Sequence, residues 1–480
     1  MAKHAFTRRE FMKMAGLAGA AALASRGPRL NLAAEEEITV AVHAVPHATA
    51  VYKFRDQFEK EYGIKVNVVE MAPEAIFEKE MTEFTAQSGA FDVVQFMPSW
   101  IADYSPHLEP LKPLAEKLAL DFKLDDVVAS FREVYTTWGG TWYAMTWDGD
   151  THIFYYNKLA LDNEEYKKKF EDEYGYPLGV PKTWKEYLDV AKFFNGWDWD
   201  GDGEVEYGCA EYLKRGRMYW WFLDRFASMG GVYFDEEMKP LINTKAGLMA
   251  LENMIASLEY MPPGSLNYAY SEVRLALING DVAMGKQWTD VGKAADLAEE
   301  SKVKGNMGYA MVPGWELKKG EINYRPMMAG GWNLGIPKYP GHKEAAAKFL
   351  YFITSPEISL QITMDPATSL DPYRISHYES PEFQALWPTA KDYLKAINDT
   401  LAIGFPELQI PGAAEYLDVL DLELTEALAG SKGPEEALNS AADQWNEITE
   451  RLGLETQKEN WNKEYDAMKK LGIVYTPLEG

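Results

Sequence analysis

Strand and helix alternate with short connections between residues 37 and 96, and this alternation restricts the possible folds more than any other feature of the chain. "EITVAVHAV" (37–45) has the pattern of a half-buried strand, and "ATAVYKFRDQFEKEYG" (48–63) carries apolar residues at helical spacing and stops on Gly. "IKVNVVEM" (64–71) reads as a second strand, followed by a helical "EAIFEKEMTEFTAQSG" and the strand "FDVVQF" (91–96). Such a run buries its apolar surface most economically as a parallel sheet covered by helices on both faces. Ligands of α/β sheets lie at loops beyond the carboxyl ends of the strands, which here are 43–47 and 97–100.

At 480 residues the chain exceeds one compact core, so two or more lobes are expected. In "YAMTWDGDTHIFYYN" (143–157), two extended segments flank a polar turn, which suits a chain crossing from one lobe to another. "TWKEYLDVAKFFN" and "AGLMALENMIASLEYM" have helical periodicity and imply a helix-rich second lobe. Residues 273–291 read as a helix, a turn at Gly280 and a strand ending in exposed Trp288 and Asp290. Residues 329–357 read as a Gly-kinked strand, a Pro-Gly loop, and a helix from about Lys343 that buries Ala346, Phe349, Leu350 and Ile353. Ser355 then caps a further helix whose first turn holds Pro356.

Hydrophobic residues make up 47% and charged residues 25%, the balance of a folded globular chain. The net charge of -26 includes a basic leader, so the rest of the surface is more acidic still and disfavours nucleic acid and anionic membrane surfaces. The single cysteine, Cys209, excludes an internal disulfide and any multi-cysteine metal centre.

That leader, "TRREFMKMAGLAGAAALA", sets paired arginines before an apolar run too short to span a bilayer. Thr7-Arg8-Arg9-x-Phe11-x-Lys13 resembles a twin-arginine export signal, which implies passage of the folded protein through the twin-arginine machinery to the periplasm or beyond. Residues 1–34 are therefore read as a signal peptide, with cleavage after Ala24 or nearer Ala34 left open. No cysteine lies near the end of the run, so a lipid anchor is not expected.

"DVAMGKQWTD", "GGWNLGIP" and "KEAAAKFLYFITSPE", with the shorter "PKTWKEYLDVAKFF", "YYNK" and "EEALNSAADQWNEI", occur in an order that resembles the extracellular solute-binding proteins of ABC importers, in the sugar-binding family of the maltose-binding type. The resemblance covers the chain after the leader. It implies an α/β, two-lobed periplasmic-binding-protein fold of type II-like topology, each lobe a sheet flanked by helices, with a hinge between lobes. By resemblance, 35–145 and 313–365 form one lobe, and 146–312 and 366–480 the other. It further implies capture of a carbohydrate in the interlobe cleft, delivery to membrane permease subunits, and no enzymatic activity; a monomer is expected.

A pyranose offers an apolar C–H face to an aromatic ring and a rim of hydroxyls to carboxylates, so Trp beside Asp is an apt unit of recognition. Trp147 with Asp148 and Asp150, and Trp288 with Asp290, are such units. By resemblance Trp288 is the stacking ring, and Gly330-Gly331-Trp332 is the strand whose backbone approaches the ligand; the Trp332 ring serves the cleft or the core. Trp220 and Trp221 sit about 100° apart on a helix, so one reaches a ligand and the other is core; Trp221 is the candidate. Trp100 lies in the loop after the third strand. Arg374, after Tyr373, faces the cleft by resemblance or makes a salt bridge. His43 and His47 flank Pro46, which argues against a helical metal pair and leaves them as hydrogen-bonding loop residues.

"WDWDGDGEVEYG" (197–208) spaces Asp198, Asp200, Asp202, Gly203, Glu204 and Glu206 as positions 1, 3, 5, 6, 7 and 9 of an EF-hand calcium loop. Position 12 is Cys209, so the last ligand must come from Glu206, Glu211 or elsewhere. A structural calcium is expected, holding a loop of the second lobe, since a calcium sensor needs paired hands and an apolar groove. Two rival readings remain open. A secreted glycoside hydrolase would set two carboxylates across a sugar ring, and a binding protein for a polyamine or other small polar solute would suit the acidic surface.

Overall fold

The structure, a computed structural model, describes residues 36–478 apart from 45, 329 and 340; the paired-arginine leader lies outside these residues. The first alternating segment folds as its periodicity requires. Strand β1 (Glu36–His43) leads to helix α1 (His47–Tyr62), which ends at Gly63 in the left-handed region with φ 70°. Strand β2 (Ile64–Met71), helix α2 (Pro73–Ala86) and strand β3 (Val93–Phe96) follow. Rather than alternating, β1 buries Ile38, Val40, Ala41 and Val42 together, because both faces of its sheet are covered.

The chain leaves this sheet through β4 (Ala144–Asp148) and enters a second through β5 (His152–Asn157). Helix α3 (Trp184–Phe193), capped by the Thr183 hydroxyl, precedes β6 (Tyr207–Ala210), α4 (Tyr219–Ser228) and α5 (Lys245–Ser257). Helix α6 (Tyr270–Asn279) turns at Gly280 into β7 (Val282–Trp288), followed by α7 (Asp290–Leu297) and β8 (Met307–Ala310). Strand β9 (Trp332–Gly335) returns to the first sheet, and α8 (Lys343–Ile353) and α9 (Pro356–Met364) pack beside it. Ala346, Phe349, Leu350 and Ile353 of α8 are all buried, with Phe349 edge-on to Phe58 of α1 at 5.3 Å. Ser355 caps α9 by accepting from the Ile358 N–H at 3.4 Å. The long helices α10 (Ala390–Leu401), α11 (Ala413–Leu428), α12 (Pro434–Leu452) and α13 (Leu454–Lys470) complete the described chain.

Among the described residues the first sheet has the order β2-β1-β3-β9-β4 and the second β8-β5-β7-β6. The expectation of a parallel first sheet is corrected: β1 and β3 are parallel, but β9 runs antiparallel to both β3 and β4. Asn333 lies opposite Phe96, so β9 enters at the end where β3 finishes, as a strand arriving from the other lobe must. In the second sheet β5 is antiparallel to β7, with His152 opposite Trp288, and β6 is parallel to β7. The fold is therefore α/β and two-lobed, with a sheet in each lobe.

Candidate functional site

Helix α6 is about 15 Å long and β7 about 23 Å, and the tight turn at Gly280 folds β7 back along α6. This places Tyr270 against Trp288, with ring centroids 5.9 Å apart, and its hydroxyl donates to Asp290 Oδ2. Trp288 also meets Trp220 at 5.3 Å, Trp221 at 5.2 Å, His152 at 5.1 Å and Tyr212 at 6.1 Å. Trp288 is 6% exposed, not the exposed ring expected, because the rings of α4 lie against it. Both neighbouring tryptophans join this wall. Trp220 donates its Nε1–H to Glu407 at 2.9 Å, while Trp221 stacks on Tyr212 at 5.3 Å.

A second aromatic group stands on the first sheet. Trp332 meets His43 at 5.5 Å, His47 at 5.9 Å and Trp100 at 6.1 Å, all near edge-on. His47 opens α1 directly after Pro46, and its Nδ1 is hydrogen-bonded to the Gln95 amide at 2.7 Å. Between the two groups runs Gly330-Gly331, with φ 90° and 76°. A Cβ on Gly331 would stand 2.5 Å from the Asp148 carbonyl, and one on Gly330 would stand 3.7 Å from Trp220 and 3.8 Å from Trp288 Nε1. Both positions need glycine for the left-handed backbone, and Gly331 needs it also because a Cβ there would collide with the Asp148 carbonyl of the neighbouring strand.

Four carboxylates gather at the crossing. Thr289 Oγ1 lies 2.8 Å from both Asp150 Oδ1 and Asp371 Oδ2. Asp150 Oδ1 also accepts from the Thr151 N–H at 2.9 Å and the Thr289 N–H at 3.3 Å, so this carboxylate is held by three donors. Burial first, then the charges of Asp148 and Asp371, lift the Asp150 carboxyl well above the usual range. Asp148 accepts from the Asp371 N–H at 2.7 Å and is likewise raised, by burial and then by Asp371. Burial, followed by Asp371, lifts Asp290 to about 6. Its Oδ1 is buried without a hydrogen-bond partner among the described residues. Lys293 offsets Asp371 at 3.2 Å and spends its other donors on the Leu370 and Thr363 carbonyls. Asp371, Thr289, Tyr270 and His152 were not legible as site residues, and Trp220, read as the alternative to Trp221, stands in the wall beside it.

These acids define a pH response. Burial also lifts Asp103 to about 6, Asp421 to about 6 and Glu464 to about 8. A folded-state pKa above the unfolded one means that folding favours the protonated form. The contribution is complete below the unfolded value near 4 and is lost as pH rises through about 6 to 8. The thermal midpoint is therefore expected to be higher at about pH 5.5 than at about pH 7.5, read by differential scanning calorimetry. A midpoint that rises over that interval would mean that the buried imidazoles of His47, His152 and His377, held well below their usual range by burial, outweigh these carboxyls.

Two sequence expectations are displaced. Arg374 is 0% exposed and its guanidinium is bonded to protein: Nε to the Thr354 carbonyl at 3.1 Å, Nη1 to the Lys123 carbonyl at 3.2 Å and to Asp126 at 3.4 Å, Nη2 to the Phe122 carbonyl at 3.2 Å. Its role is to tie the segment after Phe122 to the start of the C-terminal part of the chain, not to face a cleft. Trp147 is core, fully buried in β4.

In the acidic loop, Asp198, Asp200, Asp202 and Glu206 present oxygens that all lie within 4.8 Å of one another. Asp198 accepts from the N–H groups of Gly201 at 2.6 Å and Gly203 at 3.1 Å, and Glu206 accepts from Trp199 N–H at 2.9 Å, so backbone donors hold the carboxylates together. The Glu204 side chain is not in this group, leaving its backbone carbonyl as the available ligand. Cys209 is buried, and Glu211, whose Oε1 is bonded by Arg225 at 2.6 Å and Tyr187 at 2.7 Å, is not among the residues whose oxygens converge.

Residues 43–359 match the family model for bacterial extracellular solute-binding proteins. A probable amino-acid ABC transporter periplasmic-binding protein of Sinorhizobium fredii is 25% identical over 82% of this chain and 85% of its own length. An sn-glycerol-3-phosphate-binding periplasmic protein of Salmonella paratyphi A is 24% identical over 72% and 76%. Among solved structures, an ABC transporter solute-binding protein of Agrobacterium radiobacter in complex with ribitol aligns with TM-score 0.71 and 22% identity over 86% of this chain and 98% of that one. One from Agrobacterium vitis with bound D-mannitol aligns with TM-score 0.69 and 22% identity over 87% and 99%.

Proposed function

Since the chain belongs to the family of bacterial extracellular solute-binding proteins, we propose that it captures a carbohydrate, a sugar, oligosaccharide or polyol, in the cleft between its two sheets and delivers it to the permease of an ABC importer. It is a binding protein rather than an enzyme. The observation that carries the ligand class is the pairing of two aromatic walls, Trp288 with Trp220 and Tyr270 on one sheet and Trp332 with Trp100 and His43 on the other, with carboxylates at their base. Rings cover the C–H faces of a polyol or pyranose, and Asp150 and Asp290 take its hydroxyls. The relatives carrying ribitol and D-mannitol support this class. Lys293 is already engaged, so the amino-acid and glycerol-phosphate ligands of the curated relatives are less well matched to the acids of the crossing. The protein acts outside the cytoplasm, and no described helix is long and apolar enough to cross a membrane. Export in the folded state by the twin-arginine route is the reading of its leader.

Calcium at the acidic loop is the second part of the reading. Four carboxylates held within 4.8 Å repel one another unless a cation offsets them. Asp281, just before β7, is raised first by burial and further by the charges of Asp202 and Asp200, and is a nearby acid outside the group of four. The ion would staple the acidic loop.

One screen tests both parts: thermal shifts of residues 35–480 with mono- and oligosaccharides, polyols and polyamines, each with calcium and with chelator. The expected result is a rise with one carbohydrate that is not consumed over hours, and a chelator-induced fall in midpoint that leaves that rise in place. Consumption of the sugar would instead favour a hydrolase, a rise with polyamines alone would overturn the carbohydrate class, and indifference to chelator would remove the calcium.

A further inference from the structure

Behind the Trp288 wall lies a charged group with no contact to the cleft acids. Asp224 of α4 is 0% exposed, and Lys286 of β7 and His152 of β5 are equally enclosed. Asp224 Oδ2 accepts from Lys286 Nζ and faces His152 Nδ1 at 3.3 Å, while Oδ1 accepts from the Met327 N–H. The Met327 carbonyl in turn accepts from the Thr151 hydroxyl at 2.9 Å. One carboxylate thus joins both strands of the second sheet that end at the wall, the helix bearing Trp220 and Trp221, and the Met327 backbone, three positions before Gly330 in the sequence. Lys286 Nζ stands 4.7 Å over the Trp221 ring and 3.4 Å from the Trp220 carbonyl, and the His152 ring lies 4.4 Å from Trp221 and 5.1 Å from Trp288.

Burying an ion pair rarely adds stability over apolar residues of the same volume, because desolvation consumes the Coulomb gain. What such a pair can add is a fixed geometry. We propose that Asp224 is a positioning residue: through Lys286, His152 and the Met327 N–H it holds the Trp220–Trp221–Trp288 wall and the Gly330–Gly331 strand in one relation before any ligand arrives. This rests on the reading of that wall as a ligand surface, but the wall's own geometry can be followed without a ligand.

The test compares the parent with Asp224→Leu/Lys286→Met, which removes both charges at similar volume, and with Asp224→Asn, which keeps shape and loses charge. Rings 5.2 and 5.3 Å apart couple their electronic transitions, so the wall has its own circular dichroism in the tryptophan bands. For the double variant the expected result is a midpoint lower by about 5 °C, because the buried Met327 N–H loses its acceptor, together with loss of that tryptophan signal and binding weakened by about tenfold or more for whichever of ribitol, D-mannitol or maltose shifts the parent. For Asp224→Asn the same spectral change is expected, with a larger fall in midpoint, because Lys286 is left buried and unpaired. A double variant with the parent's spectrum and affinity overturns the proposal, as does a spectrum that changes only in step with unfolding in both variants. If the parent binds none of the three probes, the carbohydrate reading falls, and the ligand-free spectra still decide whether Asp224 positions the wall.

Discussion

Arg374→Ala is expected to cost about 3–5 kcal/mol of stability, the range for removing one partner from a buried charged network. The guanidinium bonds the Thr354, Lys123 and Phe122 carbonyls and the Asp126 carboxylate, all from a fully buried position. Alanine would leave these acceptors without their donor, and Asp126 would keep only the N–H and hydroxyl of Ser376. Arg374→Lys should recover part of the loss, since one ammonium reaches fewer of these acceptors than a planar fork. Chemical denaturation measures the cost, and ligand affinity of the folded fraction should stay near that of the parent. Full stability combined with lost affinity would return Arg374 to the cleft.

Trp288→Ala should remove both stability and ligand binding. The ring touches Trp220, Trp221, Tyr270, Tyr212 and His152, so truncation leaves a cavity worth about 3–5 kcal/mol. If Trp288 is also the surface on which the carbohydrate lies, affinity should fall by about 30-fold or more, as for an anchor residue at the centre of an interface. Trp288→Phe separates the two effects, because it keeps a ring in the wall and shrinks the stacking face. Calorimetric titration of both variants with the carbohydrate found in the screen is the measurement. Affinity retained in the alanine variant would show that the ring is packing alone.

Much of the fold is legible because its causes are local. The spacing of Ala346, Phe349, Leu350 and Ile353 defines one face of α8, Ser355 and Pro356 announce α9, and Gly63 and Gly280 stop their helices, each through interactions within a turn or two. The mixed direction of the first sheet is not local: β9 joins β3 across more than two hundred residues, and strand direction depends on where the chain re-enters. The same distinction divides the site. Trp288, Asp290, Asp148 and Asp150 stand out because a ring and an acid adjoin in sequence. Thr289 reads as an ordinary polar residue until Asp371, eighty-two positions away, is brought to its other side.

The sequence by itself determined the alternating α/β pattern, the acidic loop and the order of segments that marks the family, since periodicity, turn chemistry and ligand spacing act over a few residues. Only the tertiary structure decided that Arg374 is a tie rather than a ligand contact, that Trp288 is enclosed rather than exposed, and that Asp224 stands where four segments meet. Each of those outcomes depends on which distant groups compete for the same buried donors, acceptors and ring faces. That competition is settled only when the two sheets and their crossing strands are assembled.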